Sequence, residues 1–338
     1  MIQGRRVHLR LPATSANLGP AFDAAAVALN LHLEIAAEAA EAFSVSAEGR
    51  DAAACSRLQG NLILETYRQV LGENGPPIQP LRLQVRNEIP LGMGCGSSAA
   101  ARLAGIALAV EFGELAWRDE DIVAAATFLE GHPDNVTACW LGGMTVSAKS
   151  PQAEAAPGNG CMYPPVQVAR IDVPKHWRAV ILLPREPVRT EASREVLPSH
   201  YSRVDVVENL QRCSLLVAAF ASGNDELLRA GMCDRLHQPY RSAICPLLRE
   251  MPLLREVPGV LGVALSGAGP GMLLIVARDL DAGELERSLQ KVLAEPGDVE
   301  LLQCGFADTG AGRDGARQMY ENPKVPLVGV TLKKVTQV

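Results

Sequence analysis

The sequence predicts a protein of two α+β lobes, on three observations. The chain has 338 residues, more than one hydrophobic core usually organises. Segments with strand period and segments with helical period are mixed in both halves. Between the halves, residues 150–165, SPQAEAAPGNGCMYPP, are dense in proline and glycine and break every period. The expected division is 1–160, 161–312, and a tail at 313–338. The tail's apolar run suits an added strand and is equally compatible with disorder.

The elements follow from local patterns. Val27 to Ile35 alternates, with Val27, Leu29, Leu31, Leu33 and Ile35 on one face and Asn30, His32 and Glu34 on the other. That is a half-buried strand. Phe43 to Ala47 and Leu81 to Ile89 read as two more. Asn61 precedes a helical pattern that runs through Leu71 and closes at Gly72. Ser97 to Phe112 is an alanine- and glycine-rich helix, Asp119 to Glu130 a further helix, and Gly143 to Ala148 a strand. In the second half, Val166 to Val173 and Arg178 to Leu183 read as strands and Val204 to Ser222 as a long helix. Val260 to Leu265 and Met272 to Ala277 form paired strands around SGAGPG. A helix near Ala282 to Ala294 and a strand near Val299 to Phe306 complete the set.

Composition narrows the function. The chain is 48% hydrophobic, 21% charged and carries a net charge of −6. It has only 4% aromatic residues, with no basic and aromatic stripe, so nucleic acid and acidic membrane surfaces are not expected partners. The eight cysteines form no CxxC pair and no Cys/His cluster with zinc spacing, which reads as free thiols in a reducing cytosol. The N-terminus lacks an apolar leader, and no run approaches the roughly 18–20 apolar residues of a membrane span. The expected location is the cytoplasm.

Chemistry concentrates in IPLGMGCGSSAAARLAG, Ile89 to Gly105. Glycines at 92, 94 and 96 let backbone N–H groups close around an anion, and the helix that follows adds its positive end. Two hydroxyls, Ser97 and Ser98, stand at that start, where one of them would otherwise serve only as an N-cap. The loop lacks the lysine of a Walker A motif and the packing glycine of a dinucleotide fingerprint. Three further segments carry polar groups at turns. They are PATSANLGPAFD (Pro12 to Asp23), LEGHPDNVTACWLGG (Leu129 to Gly143) and LSGAGPGMLLIV (Leu265 to Val276).

These segments, in this order, resemble the GHMP kinases. The loop is similar to that superfamily's Pro-x-x-x-Gly-Leu-Gly-Ser-Ser-Ala-Ala, here Pro90, Leu91, Gly92, Met93, Gly94, Cys95, Gly96, Ser97, Ser98, Ala99 and Ala100. Cys95 replaces leucine, which leaves the backbone amides in place. Within the superfamily, PATSANLGPAFD, HPDNV, TEASREVLP and DRLHQPYR look most like homoserine kinase, and the similarity spans roughly residues 7–310.

The resemblance implies a two-lobed GHMP kinase fold, with an N-terminal lobe like domain 2 of ribosomal protein S5 and a ferredoxin-like C-terminal lobe. It implies ATP as phosphoryl donor, Mg²⁺, L-homoserine as acceptor and a homodimer. By the same resemblance Ser98 and Glu130 would hold Mg²⁺, hard oxygen donors suiting that ion. Asn61 would contact adenine. Asn17, Asp23, His132, Asp134, Arg194 and Arg235 would surround the amino acid, with aspartates for its ammonium and arginines for its carboxylate. Asp134 is also the nearest candidate for a catalytic base, though a role at the substrate ammonium is preferred. Whether a dedicated base exists stays open. The family's GFD-x-x-G reads AFDAAAVAL here, so Ala21 and Ala25 or Ala26 stand where glycine is common. The alternatives are a GHMP kinase for another small alcohol, threonine or mevalonate, and an idle binding protein on the same fold.

Overall fold

A computed structural model describes residues 5–150, 161–186, 190–294 and 296–312 of the chain. The expected tail at 313–338 and most of the proline- and glycine-rich segment lie outside the described residues.

The first lobe contains β1 (Arg6–Asn17), β2 (Ala21–Ala39), β3 (Ser44–Gly49), α1 (Ala52–Cys55), α2 (Leu62–Asn74) and β4 (Leu81–Asn87). It continues with α3 (Ser97–Phe112), α4 (Asp119–Glu130), α5 (Asp134–Leu141), β5 (Met144–Lys149) and β6 (Val166–Ile171). The strands form one sheet in the order β3-β4-β2-β5-β6, with β1 paired to β2. β4 shows the simplest cause of a half-buried strand: Leu81, Leu83 and Val85 face the core, and Arg82, Gln84 and Arg86 face solvent.

The second lobe runs through β7 (Trp177–Pro184), α6 (Thr190–Glu195), α7 (Arg203–Ser222), α8 (Asp225–Gly231), α9 (Gln238–Arg241) and α10 (Met251–Arg255). It closes with β8 (Val260–Leu265), β9 (Met272–Ala277), α11 (Ala282–Val292) and β10 (Val299–Gln303). Its antiparallel sheet has the order β10-β7-β9-β8, which is the ferredoxin-like arrangement. Both faces of this sheet are covered, and that explains its unbroken apolar runs. Along β7, Ala179, Ile181 and Leu183 join the core shared with the first lobe. Val180 and Leu182 instead join a second core with Leu254, Leu285 and Leu289.

Several expectations need correction. The sheets change after Ile171, not at residue 160, because β6 pairs along the whole of β5 and completes the first sheet. The segment from Pro12, expected to carry its polar groups at a turn, is instead the end of a strand, Arg6–Asn17, with Val7, Leu9 and Leu11 buried between exposed His8 and Arg10. The alternation along β2 breaks where the β1 register jumps from Pro12↔His32 to Ala13↔Leu29. That irregularity buries His32, expected on the polar face, to 4% exposure and leaves Leu31 only half-buried. Gly72 does not end α2; Gly75 does, at φ 88° with its N–H on the Leu71 carbonyl. The segment DNVTACWL, left without an element, is α5.

The two lobes meet where the β1–β2 turn touches the loop between β8 and β9. Gly267 N donates to the Ala16 carbonyl at 3.1 Å. The glycine loop before α3 lies against the same contact.

Candidate active site

Gly92, Gly94 and Gly96 have φ values of 70°, 75° and 71°, the left-handed region that L side chains rarely enter. Space adds a second reason for two of them. A Cβ on Gly94 would run into the Ser266 carbonyl, and one on Gly96 into Thr14 Oγ1. The two glycine-rich loops are thus in contact, and Ser266 Oγ donates to the Gly94 carbonyl at 2.7 Å. Gly96 occupies the N-cap of α3, and no side chain caps that helix. Neither serine is spent on the role first weighed for it. The end of α3 is left with the backbone donors and dipole that favour an anion.

Ser98 Oγ donates instead to Glu130 Oε1 at 2.6 Å. Glu130 is the last residue of α4 and its side chain is 9% exposed. Arg102, one turn beyond Ser98, donates Nε to the same oxygen at 2.7 Å. A hydroxyl and a carboxylate therefore stand together beside the uncapped helix end. A hydroxyl and a carboxylate are the hard oxygen donors that suit a divalent cation such as Mg²⁺.

The facing wall comes from the β1–β2 turn, the start of α5 and the second lobe. Asn17 and Asp23 are left-handed at φ 72° and 55°. Asn17 Oδ1 accepts from Asp23 N at 3.0 Å, and its Nδ2 donates to the Gly267 carbonyl at 2.9 Å. Ala21, Ala25 and Ala26 are not among the positive-φ residues, so alanine is unstrained there, and the left-handed side-chain-bearing residues of the turn are Asn17, Leu18 and Asp23. Asp23 accepts two hydrogen bonds from Arg194, at 2.7 and 3.0 Å.

Asp134, 1% exposed, accepts on Oδ1 from Asn135 N and lies 2.6 Å from His132 Nδ1. Burial alone would lower the His132 pKa. The hydrogen bond and charge of Asp134, with Asp23 behind them, outweigh burial and hold the imidazole above its ordinary value. Asp23, His132 and Asp134 each present an atom within 4.8 Å of the other two, a pocket for positive charge.

Arg241, also 1% exposed, supplies the opposite sign. Its Nε donates to the Ser193 carbonyl at 2.9 Å and its Nη1 to the Gly267 carbonyl at 3.2 Å. Nη1 also lies 3.0 Å from His237 Nδ1, while His237 Nε2 lies 2.7 Å from the Gly19 carbonyl. A guanidinium can only donate and a carbonyl can only accept, so His237 is neutral with its proton on Nε2. Burial, and then the Arg241 charge, push its pKa down against the pull of Asp234. Among the described residues Arg241 makes no ion pair with a carboxylate. Burial first, and the charge of Arg194 second, lower its pKa.

Comparison with known proteins places the chain in a family. The GHMP kinases N terminal domain matches residues 61–143, and the GHMP kinases C terminal domain matches residues 216–295. A homoserine kinase of Solibacter usitatus is 42% identical over 304 residues, covering 90% of this chain and 95% of its own. The chain belongs to the homoserine kinase family of the GHMP kinases. A Synechococcus homoserine kinase is 36% identical, over 81% of this chain and 87% of its own. A crystal structure of homoserine kinase from Cytophaga hutchinsonii shares the fold, with a TM-score of 0.70 at 22% identity over 92% of this chain and 98% of that one.

Of the residues that family resemblance pointed to, the cleft gathers Asn17, Asp23, Ser98, Glu130, His132, Asp134 and Arg194, with Gly92 and the loop from Gly94 through Ala99. Pro90, Leu91 and Met93 line an adjoining crevice with Arg50, Asp51 and Glu300, and Ala100 is buried behind the loop. Two residues are corrected. Asn61 caps α2: its Oδ1 accepts from Leu64 N, and its Nδ2 donates to the Cys55 and Arg57 carbonyls. Its amide is occupied by these local bonds and does not line the cleft. Arg235 is 53% exposed and pairs with Glu208 at 3.1 Å, also outside the cleft. Arg241, at the end of the same DRLHQPYR segment, lines the cleft in its place. Its spacing of four from His237, one helical turn, was the available signal. Phe22 and Asn135, to which the resemblance assigned no role, also line the cleft.

Proposed function

We propose that this GHMP kinase transfers the γ-phosphoryl group of ATP to the side-chain hydroxyl of L-homoserine, giving O-phospho-L-homoserine, with Mg²⁺ as its metal. One observation carries the reading. A single cleft sets a negative cluster, Asp23 and Asp134, beside two guanidinium groups, Arg194 and Arg241, and opens onto the uncapped end of α3. A small zwitterion with a hydroxyl matches that layout, and the named relatives favour homoserine among such molecules.

The substrate ammonium would lie at Asp23 and Asp134, and its carboxylate at Arg194 and Arg241. The backbone of Gly92 to Ser98 and the dipole of α3 would hold the phosphates. Ser98 and Glu130 would hold Mg²⁺, whose charge, when bound, offsets that of the phosphate oxygens. Catalysis then rests on positioning and charge. His132 Nδ1 is engaged with Asp134 Oδ1 at 2.6 Å, so that nitrogen is not free to receive the hydroxyl proton. Asp134 Oδ1 already meets His132 and Asn135. The proton is best placed on a phosphate oxygen of the reacting group.

The assembly we propose is a homodimer. Exposed Val204 and Leu210 on α7, at 72% and 62%, offer apolar surface for it, and light scattering tests it against the 36.0 kDa chain mass.

A coupled ADP-release assay across homoserine, threonine, mevalonate and galactose tests the substrate. We expect the highest kcat/KM for homoserine. Threonine should follow, because it keeps both charges, with mevalonate and galactose far behind. Equal or better turnover of mevalonate would overturn the amino acid reading.

A further inference from the structure

Phe22 sits between the groups just assigned to the substrate carboxylate, and no polar contact explains why an aromatic ring is there. Its ring centroid lies 5.4 Å from the Arg194 guanidinium carbon and 5.4 Å from that of Arg241. His237 stacks on the same ring at 5.2 Å and 28°. The two arginines come from different short helices, α6 and α9, and repel each other: the charge of Arg194 contributes to lowering the Arg241 pKa. Of the two, only Arg194 has a carboxylate partner among the described residues, Asp23.

That partner is also where the ammonium would go. When the substrate enters, Asp23 is shared, and the tether on Arg194 weakens as the carboxylate needs it. An aromatic ring attracts a guanidinium through its face and leaves the N–H edge free to meet a carboxylate. Leucine or methionine would fill the space without that attraction.

We infer that Phe22 is a specificity-determining positioning residue, whose ring holds Arg194 and Arg241 at the spacing that accepts the substrate carboxylate. The inference rests on the proposed placement of that carboxylate, and its test separates the two. The probe pair is L-homoserine and 3-aminopropan-1-ol, the same amino alcohol without the carboxylate. The variants are Phe22→Leu and an isosteric replacement, 3,4,5-trifluorophenylalanine at position 22, which drains the ring face at nearly constant shape.

The parent enzyme should favour homoserine strongly. Each variant should raise the homoserine KM roughly threefold to tenfold, the scale of two modest cation–π contacts. The kcat, the KM for ATP and the kcat/KM for 3-aminopropan-1-ol should all stay within about twofold. A parent that does not discriminate between the two alcohols refutes the carboxylate grip, and Phe22's role with it. A parent that discriminates, with a trifluoro variant that leaves the ratio intact or weakens both alcohols alike, refutes the role of Phe22 alone. The fluorinated protein keeps the test decisive if Phe22→Leu misfolds.

Discussion

Replacing Arg241 with methionine removes a buried charge that forms no ion pair with a carboxylate among the described residues. The side chain is 1% exposed, so solvent screening is slight. If it meets the substrate carboxylate, its loss leaves that group buried and unpaired, worth about 2–5 kcal/mol of homoserine affinity. The low end alone is roughly 30-fold in Kd. Arg235, six positions earlier, provides the contrast. It is 53% exposed and paired with Glu208, so Arg235→Leu removes an interaction worth about 0–1 kcal/mol, less than roughly fivefold. Isothermal titration of both variants with homoserine, and separately with ATP, reads the difference. ATP affinity should hold in both and report an intact fold. Homoserine binding within about threefold of the parent in a folded Arg241→Met, or a large loss in Arg235→Leu, would refute the reasoning.

Four further outcomes follow from the site and the sheet. Ser98→Ala and Glu130→Gln should lower kcat far more than they weaken homoserine binding; near-normal turnover of both at saturating ATP and Mg²⁺ would remove them from the metal site. Gly96→Val should lose both ATP affinity and thermal stability, since its Cβ meets Thr14 and its φ is 71°. Cys95→Leu, an enlargement at a site 1% exposed, should lower the melting temperature through about 1–3 kcal/mol of overpacking and still turn over; an inactive but stable Cys95→Leu contradicts this. His32 is pushed down from 6.5 to about 4 by burial and then by Arg10. Its neutral form is favoured in the fold, so its contribution is intact above pH 6.5 and declines as pH falls toward 4, by about 3 kcal/mol in total. Urea melts of His32→Gln should show a flatter pH dependence than the parent in that window, and parallel profiles would contradict the assignment.

Elements with one dominant local cause were legible in advance. The strands Leu81–Asn87 and Met272–Ala277 and the helices that begin at Ser97 and Asp119 lie close to where their apolar patterns put them. What escaped notice depends on partners distant in the chain. β1 looked like a turn because Pro12 and three small polar residues, Thr14, Ser15 and Asn17, hide its pairing with β2, which tolerates them through a register shift. β6 belongs to the first sheet because β5 offers it an edge, and no local pattern states that. In the cleft, Ser98 and Glu130 were found together because both lie in recognisable segments. Arg235 was preferred to Arg241 because a sequence does not display which of two arginines in DRLHQPYR faces inward. Only the burial of Arg241 behind α6 and against Gly267 decides it. Asn61 was misread for a similar reason. An asparagine before a helix is a cap first, and its three local bonds satisfy it.

The central claim is that one cleft binds an amino acid alcohol beside ATP and joins the phosphoryl group to its oxygen. Phosphorus NMR of a reaction containing the full chain, ATP, Mg²⁺ and L-homoserine tests it directly. A phosphate monoester signal, split by the two protons of the adjacent CH₂ group, should grow in step with ADP and be absent when homoserine is omitted. ATP consumption that yields only inorganic phosphate, or no consumption by a protein that binds ATP, would contradict it.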